Sequence, residues 1–197
     1  MKKLNIGCGN VPLPGYTNID KYYYPGSEHA GMNKEDGETW NTEYPDSLWL
    51  YGDAEELGIP SEEFDEVIIV HCLEHMSMNA GNNALKEAIR VLKKGGTLEI
   101  EVPDLTRSCE LFAQVHITPG GDNKLWFRVM GSLYGSQGNE GEGQYHLCGY
   151  SKEYLTFRMK EHGLTNIEEI PVGMGHGTRE GGHAEPDYDF RLRGIKI

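Results

Sequence analysis

The sequence predicts an α/β fold built around a mostly parallel sheet. Three observations carry the prediction. Short strand-like apolar runs alternate with helical stretches over the 197 residues. One run, Val67-Ile68-Ile69-Val70, is continuous and β-branched, as suits a strand buried on both faces. Successive runs end in glycine, aspartate or histidine, at the edge where open parallel sheets bind ligands.

Each element has its own signal. A first strand over Lys3–Ile6 stops at Gly7-Cys8-Gly9, a second over Tyr16–Ile19 stops at Asp20, and a third over Ser47–Tyr51 stops at Gly52-Asp53. The fourth, Asp65–Val70, precedes His71-Cys72-Leu73-Glu74-His75. Asn83–Leu92 is helical, because Leu85, Ala88, Ile89 and Leu92 fall on one face. Lys93-Lys94 suit its last turn and Gly95-Gly96 its stop. Thr97–Val102 alternates as a fifth strand. A helix over 151–162 starts at the N-cap Ser151 and closes at Gly163. Strands over Thr165–Val172 and Asp189–Ile197 complete the pattern. Residues 24–46 read as a long loop, and the glycine-rich stretch 131–149 as a loop whose aromatics, Tyr134 and Tyr145, argue against simple disorder.

Composition narrows the function. The length fits one domain, 1–197, with a lid-like insertion at about 105–150. Acids outnumber bases 31 to 18, for a net charge of −13, and the bases are scattered. That balance argues against a nucleic-acid partner, whose phosphates are held by clustered lysine and arginine. A mean hydropathy of −0.56 and no long apolar run exclude a spanning helix. Two lysines follow Met1 with no apolar stretch behind them, so a cytoplasmic location is expected. Cys8, Cys72, Cys109 and Cys148 form no C-x-x-C pair and are expected to be reduced thiols.

The strand ends form an ordered set. A G-x-G turn lets the backbone approach a ligand, an acid after the second strand can accept from ribose hydroxyls, and one after the third can accept from an adenine amino group. The segments LNIGCGN, NID, GDAEEL, FDEVIIVHCLEHM, EAIRVLKKGGTLEIEVPDL and QYHLCGYSKEYLTFRMKEHGLTNIEEI resemble the successive motifs of class I S-adenosylmethionine-dependent methyltransferases. The likeness is to their type-11-like branch, often associated with saccharide modification, and it spans nearly the whole chain. It implies a Rossmann-like methyltransferase fold, strand order 3-2-1-4-5-7-6 with the seventh antiparallel, and S-adenosyl-L-methionine converted to S-adenosyl-L-homocysteine. By position it implies that Gly7, Cys8 and Gly9 pass beneath the methionine moiety and ribose. It implies that Asp20 binds the ribose hydroxyls, Asp53 and Ala54 read adenine, and His71 lines the methionine end. Asn5 stands where the first motif is usually acidic; its amide is expected to accept from the glycine turn.

Two departures sharpen the reading. Ten residues, with Pro12 and Pro14 among them, separate Gly9 from Asp20, which leaves a loop or one helical turn in place of a crossover helix. That spacing disfavours NAD or FAD, whose pyrophosphate needs a helix N-terminus. The Asn/Asp-Pro-Pro-aromatic motif of amino-group methylation is absent after the fourth strand.

The acceptor is therefore expected to be a small molecule or saccharide, through a hydroxyl. His146 is the candidate base, with Tyr145, Tyr134 and Gln137 lining the same space. Glu74 and His75 read as the first turn of a helix. Trp126, Phe127 and Val129 read as packing residues. His176, Arg179 and His183 lie on a loop that opens at the cofactor edge. His71 and His75, at i and i+4, would share a helix face and meet His146, His176 or His183 at a metal. No cysteine or carboxylate spacing supports that site, so none is expected. Two other functions fit the same pocket: cofactor binding without transfer, and aminopropyl transfer to a polyamine.

Overall fold

The computed structural model describes residues 1–9, 13–21, 48–117, 121, 123–135, 145–172 and 188–197. Seven strands form one sheet: β1 (Lys3–Ile6), β2 (Thr17–Asp20), β3 (Leu48–Tyr51), β4 (Phe64–Val70), β5 (Leu92–Pro103), β6 (Leu164–Ile170) and β7 (Asp189–Lys196). Their order is β3-β2-β1-β4-β5-β7-β6. The first five pair in parallel, and β7 runs antiparallel to both β5 and β6. This is the order and sense expected from the sequence.

Register aligns the strand ends. Ile6 stands opposite Ile19 of β2 and Ile69 of β4, and Asp20 stands opposite Tyr51 of β3. Gly7, Asp20, Gly52 and His71 therefore emerge along one edge.

The two faces of the sheet differ. Leu4, Ile6, Val67, Ile69, Leu98 and Ile100 form a single apolar core with Ala84, Leu85 and Ala88 of helix α1 (Met78–Val91). Side chains alternate along a strand, so the intervening residues share the opposite face. There Asn18, Asn5, Ile68, Glu99 and Arg193 form one register row. Asn5, Asn18 and Glu101 are wholly buried, and Glu99 nearly so. Arg191 is buried between them, with a guanidinium nitrogen 3.3 Å from Glu101 Oε2 and another bonded to Glu99 Oε2. Burying these charges is tolerable because they are paired.

Helix α1 begins five residues earlier than its apolar spacing predicts, because Ser77 Oγ accepts from Ala80 N at 3.2 Å and caps it. It also ends earlier. Leu92 is extended and pairs with Phe64, so Lys93-Lys94 and Gly95-Gly96 belong to β5 rather than to a helix end. Lys93 Nζ instead reaches Asp65 Oδ1 at 2.7 Å. Gly95 takes φ +76° where the register shifts between Phe64 and Glu66.

Helix α4 (Lys152–Glu161) starts after Ser151, as expected. The stretch read from sequence as a lid-like insertion holds two helices, α2 (Leu105–Phe112) and α3 (Lys124–Tyr134), the second of which runs into the stretch 131–149 that the sequence reads as a loop. Asp104 Oδ1 caps α2, and the hydroxyls of Ser108 and Ser132, 2.7 Å apart, join it to α3. Val129 is buried as expected, but Phe127 is 71% exposed. Phe127 is therefore not a packing residue. Trp126 packs against Phe112 with ring centroids 5.9 Å apart.

Candidate active site

The first half of the site is built on main chain. Gly7 and Gly9 both take left-handed backbone, φ +71° and +54°, which glycine adopts at no steric cost. The amides of Gly7 and Cys8 donate to Ile19 O at 2.8 and 3.1 Å, and Gly9 N donates to Asp20 Oδ2 at 2.7 Å. These bonds weld the turn after β1 to the end of β2. A β-carbon on Gly7 would stand 2.3 Å from Cys72 Sγ, whereas one on Gly9 would meet nothing within 4 Å. Cys72 thus closes the turn from below, and the space over Gly9 is an open cradle. Cys8 turns its thiol into the interior, so only its main chain can face a ligand. Burial pushes the Cys72 thiol well above its usual pKa, aided by the Asp20 and Glu74 charges.

The rest of that edge follows β3. Gly52 N donates to Asp20 O at 3.1 Å, so the two strand ends move as one. Asp53 accepts from Glu55 N at 2.9 Å and stands 3.5 Å from Lys21 Nζ. Ala54 beside it is buried. Asn5 departs from expectation: its amide donates to Asn18 Oδ1 at 2.9 Å behind the turn. Asn18 Oδ1 in turn accepts from Leu13 N at 2.8 Å, so Asn5 fixes the short β1–β2 connection instead of bonding the glycine turn.

The second half gathers after β4. His71 takes φ +48°, a costly conformation for a non-glycine residue. A left-handed residue cannot continue into a helix, so His71 and His75 do not share a helix face. Glu74 and His75 lie in a single 3-10 turn, Leu73–His75, separate from α1. His71 Nδ1 donates to Glu74 Oε1 at 2.9 Å, while Nε2 stands 3.5 Å from Glu101 and 3.7 Å from Asp189. Burial alone would push His71 down, but Glu101, Glu74 and Asp189 outweigh it and hold the imidazole up to about 10. Burial likewise opposes the charge on Glu74, yet His71 keeps that carboxyl below its ordinary value.

Tyr145 and His146 come to the same place. Leu147 N and Cys148 N both donate to Glu74 O, at 2.7 and 3.2 Å, and His146 N donates to Tyr134 O at 3.2 Å. His146 Nδ1 donates to Ser132 O at 2.8 Å, and His75 Nδ1 donates to Tyr145 O at 3.1 Å. Burial lowers the His146 pKa, against the Glu74 charge, which raises it. The phenols of Tyr134 and Tyr145 remain accessible, 53% and 42% exposed.

The site residues expected from the sequence therefore fall into two groups. Gly7, Cys8, Gly9, Asp20, Asp53 and Ala54 line the glycine turn, and Tyr145 and His146 stand at the 3-10 turn. His71 joins them through Cys72 on one side and Glu74 on the other. Sequence reasoning missed Glu74, Glu101 and Asp189 as partners of His71; it weighed His75 beside His146 only as part of a metal site on a helix face and set that aside, yet the two rings do meet. The cluster His71-x-x-Glu74-His75 was the available signal. Gln137, His176, Arg179 and His183 lie outside the described residues.

The residues at the glycine turn fit S-adenosylmethionine. The cradle over Gly9 is open, Asp20 is fixed beside it, and among the described residues no helix N-terminus follows the turn to meet a phosphate. Among the described residues, no helix is long and apolar enough to cross a membrane.

Comparison with known proteins agrees. No curated protein matches the chain by sequence. A methyltransferase from Methanosarcina mazei, described as S-adenosylmethionine-dependent, superposes with a TM-score of 0.64 at 16% identity, over 100% of this chain and 92% of that one. Another such enzyme, from Thermotoga maritima, gives 0.55 at 17% identity, over 100% and 82%. At those identities the likeness is one of fold. Residues 4–100 match a family model described as a methyltransferase domain. The match spans the glycine turn, both aspartates and the HCLEH segment. That match and the shared fold together support a class I methyltransferase that uses S-adenosylmethionine.

Proposed function

We propose that the chain methylates a hydroxyl of a small-molecule or saccharide acceptor, bound between the glycine turn and the 145–148 segment. The observation that supports this reading most is the hold on His146. Its Nδ1 is committed to Ser132 O at 2.8 Å, so Nε2 is the ring atom left to deal with an acceptor. In this reading Gly7, Cys8 and Gly9 support the methionine and ribose, and Asp20 accepts from the ribose hydroxyls. Asp53 and the Ala54 amide read adenine, and His71 lines the methionine end. Asn5 acts from behind, as a positioning residue.

When bound, S-adenosylmethionine supplies an electrophilic methyl carbon on a sulfonium. Transfer is an in-line displacement, so alignment of the acceptor oxygen does most of the work. The hydroxyl proton must also leave. Burial disfavours the imidazolium form of His146, which keeps Nε2 able to take that proton as the oxygen takes the methyl group. Tyr145, with its exposed phenol, orients the acceptor. The whole chain acts as one domain, with α2, α3 and the 145–148 segment as a partial lid. Four free thiols suit a reducing cytoplasm.

The test is a screen of small-molecule and saccharide acceptors, scored by S-adenosylhomocysteine release. A hydroxyl acceptor turned over by wild type and at least tenfold more slowly by His146→Ala is the expected result. An acceptor methylated on nitrogen or carbon, or an unimpaired His146→Ala, would refute the reading.

A further inference from the structure

We infer that Glu74, His75 and His146 form a binding site for a divalent first-row transition cation at the acceptor side of the pocket. One ligand atom from each of the three lies within 4.8 Å of the others. The two imidazoles stand edge to face, with centroids 4.8 Å apart and planes at 73°.

Three further features point to a ligand. Both histidines spend Nδ1 on main-chain carbonyls, His75 on Tyr145 O and His146 on Ser132 O. A carbonyl can only accept, so both Nδ1 atoms carry a proton and both Nε2 atoms are left for another partner, as a cation would need. That tautomer, fixed by a carbonyl behind the ring, is the one metal-bound histidines adopt. Secondly, Glu74 is 1% exposed, and its Oε2 has no hydrogen-bond partner among the described residues. A buried carboxylate oxygen without a partner is costly, and a cation would satisfy it. Thirdly, Glu74 Oε1 accepts from His71 Nδ1, so the ligand is itself held by an outer partner. Rigid main chain supports the arrangement, because Leu147 N and Cys148 N both bond to Glu74 O.

Two neutral imidazoles and one carboxylate suit zinc, iron(II), manganese or cobalt(II) better than calcium or magnesium. Three protein ligands leave coordination positions open. This inference deepens the reading of a hydroxyl acceptor and rests on it for the site's use, though not for its existence. With a cation in place His146 Nε2 would be a ligand rather than the base, and a hydroxyl at the open position, acidified by the cation, would give its proton to solvent water as its oxygen takes the methyl group.

The test uses untagged full-length protein, stripped with a chelator and titrated with Co2+. Absorption bands of cobalt in the visible report its ligands directly, without any acceptor. One equivalent bound at micromolar affinity is expected, weakened about 100-fold or more in His75→Ala and in His146→Ala. His75 is partly exposed, so its variant should keep the wild-type melting temperature and S-adenosylhomocysteine affinity. Wild type that binds Co2+ no tighter than millimolar overturns the site, as does His75→Ala that binds as wild type does. Stoichiometric Co2+ with these variant effects, in a chain that methylates no hydroxyl, supports the site and overturns only the acceptor reading.

Discussion

Gly9 donates its amide to Asp20 Oδ2 across 2.7 Å, and this bond ties the turn after β1 to the end of β2. The Gly7 and Cys8 amides reach the same strand through Ile19 O. Three consecutive amides thus hold the turn rigid before any cofactor arrives, which lowers the cost of ordering it on binding.

Gly7 and Gly9 should fail differently when changed to alanine. Gly7→Ala puts a β-carbon 2.3 Å from Cys72 Sγ at a left-handed φ. It should destabilise the fold by about 2–4 kcal/mol, as overpacking and backbone strain add. Gly9→Ala has open space and should cost only about 1 kcal/mol. Its methyl group fills the cradle, so it should lose cofactor affinity instead. Urea unfolding and calorimetry with S-adenosylhomocysteine separate the two.

Asp20→Asn should weaken S-adenosylhomocysteine binding by about 10- to 100-fold, the worth of a charge-assisted hydrogen bond. Asp53→Ala should weaken it less. The Asp53 side chain is 45% exposed, so its melting temperature should stay at the wild-type value. Equal affinity across wild type and both variants would remove the glycine edge as the cofactor site.

Arg191→Met should be among the most damaging single changes. It leaves the Glu99 and Glu101 carboxylates buried without their shared partner, at a cost of about 3–5 kcal/mol. Glu99 keeps Arg193 at 2.7 Å and Glu101 keeps His71 at 3.5 Å, but combining Arg191→Met with Glu99→Gln and Glu101→Gln removes the under-compensated charges and should recover much of the loss. Denaturant midpoints of the single and the triple variant make the comparison.

Glu87 gives a pH-dependent prediction. Its carboxylate accepts from Arg90 Nε at 2.6 Å, Arg90 Nη2 at 2.8 Å and Leu57 N at 3.0 Å. The Arg90 bond chiefly, with the Leu57 amide, holds its pKa below the ordinary value, although burial opposes them. A depressed folded pKa means the stabilisation is complete above the unfolded value of about 4.3 and is lost as pH falls through the folded one. Glu87→Gln should therefore cost about 1–2 kcal/mol at pH 7 and nothing once both forms are protonated. Unfolding curves from pH 7 down to pH 3 show whether the difference closes.

Much of the scaffold and of the cofactor edge was legible in the sequence, because both depend on local chemistry. A β-branched run such as Val67–Val70 has few uses other than a buried strand. A glycine pair at Gly7 and Gly9 permits a left-handed turn whatever surrounds it, and an acid directly after a strand stands at the sheet edge. Helix ends were less legible. Ser77 caps α1 with one hydrogen bond that the apolar spacing does not register, and Lys93 left its expected helix turn because Asp65 stands across the strand pair.

The acceptor side was decided by tertiary structure. His75 and His146 are far apart in sequence, and nothing local marks them as neighbours. Main-chain bonds from Leu147 and Cys148 to Glu74 O bring them together. His71 read from sequence only as a residue lining the pocket, with nothing to set its charge. Glu101, from β5, and Asp189, at the start of β7, make it a cation. Sequence by itself determined the strands and the glycine turn that ends the first of them, since backbone conformation and sheet periodicity are local properties. Only the folded chain decided the charge on His71 and the meeting of Glu74, His75 and His146, because electrostatics and ligand geometry depend on distances in space rather than along the chain.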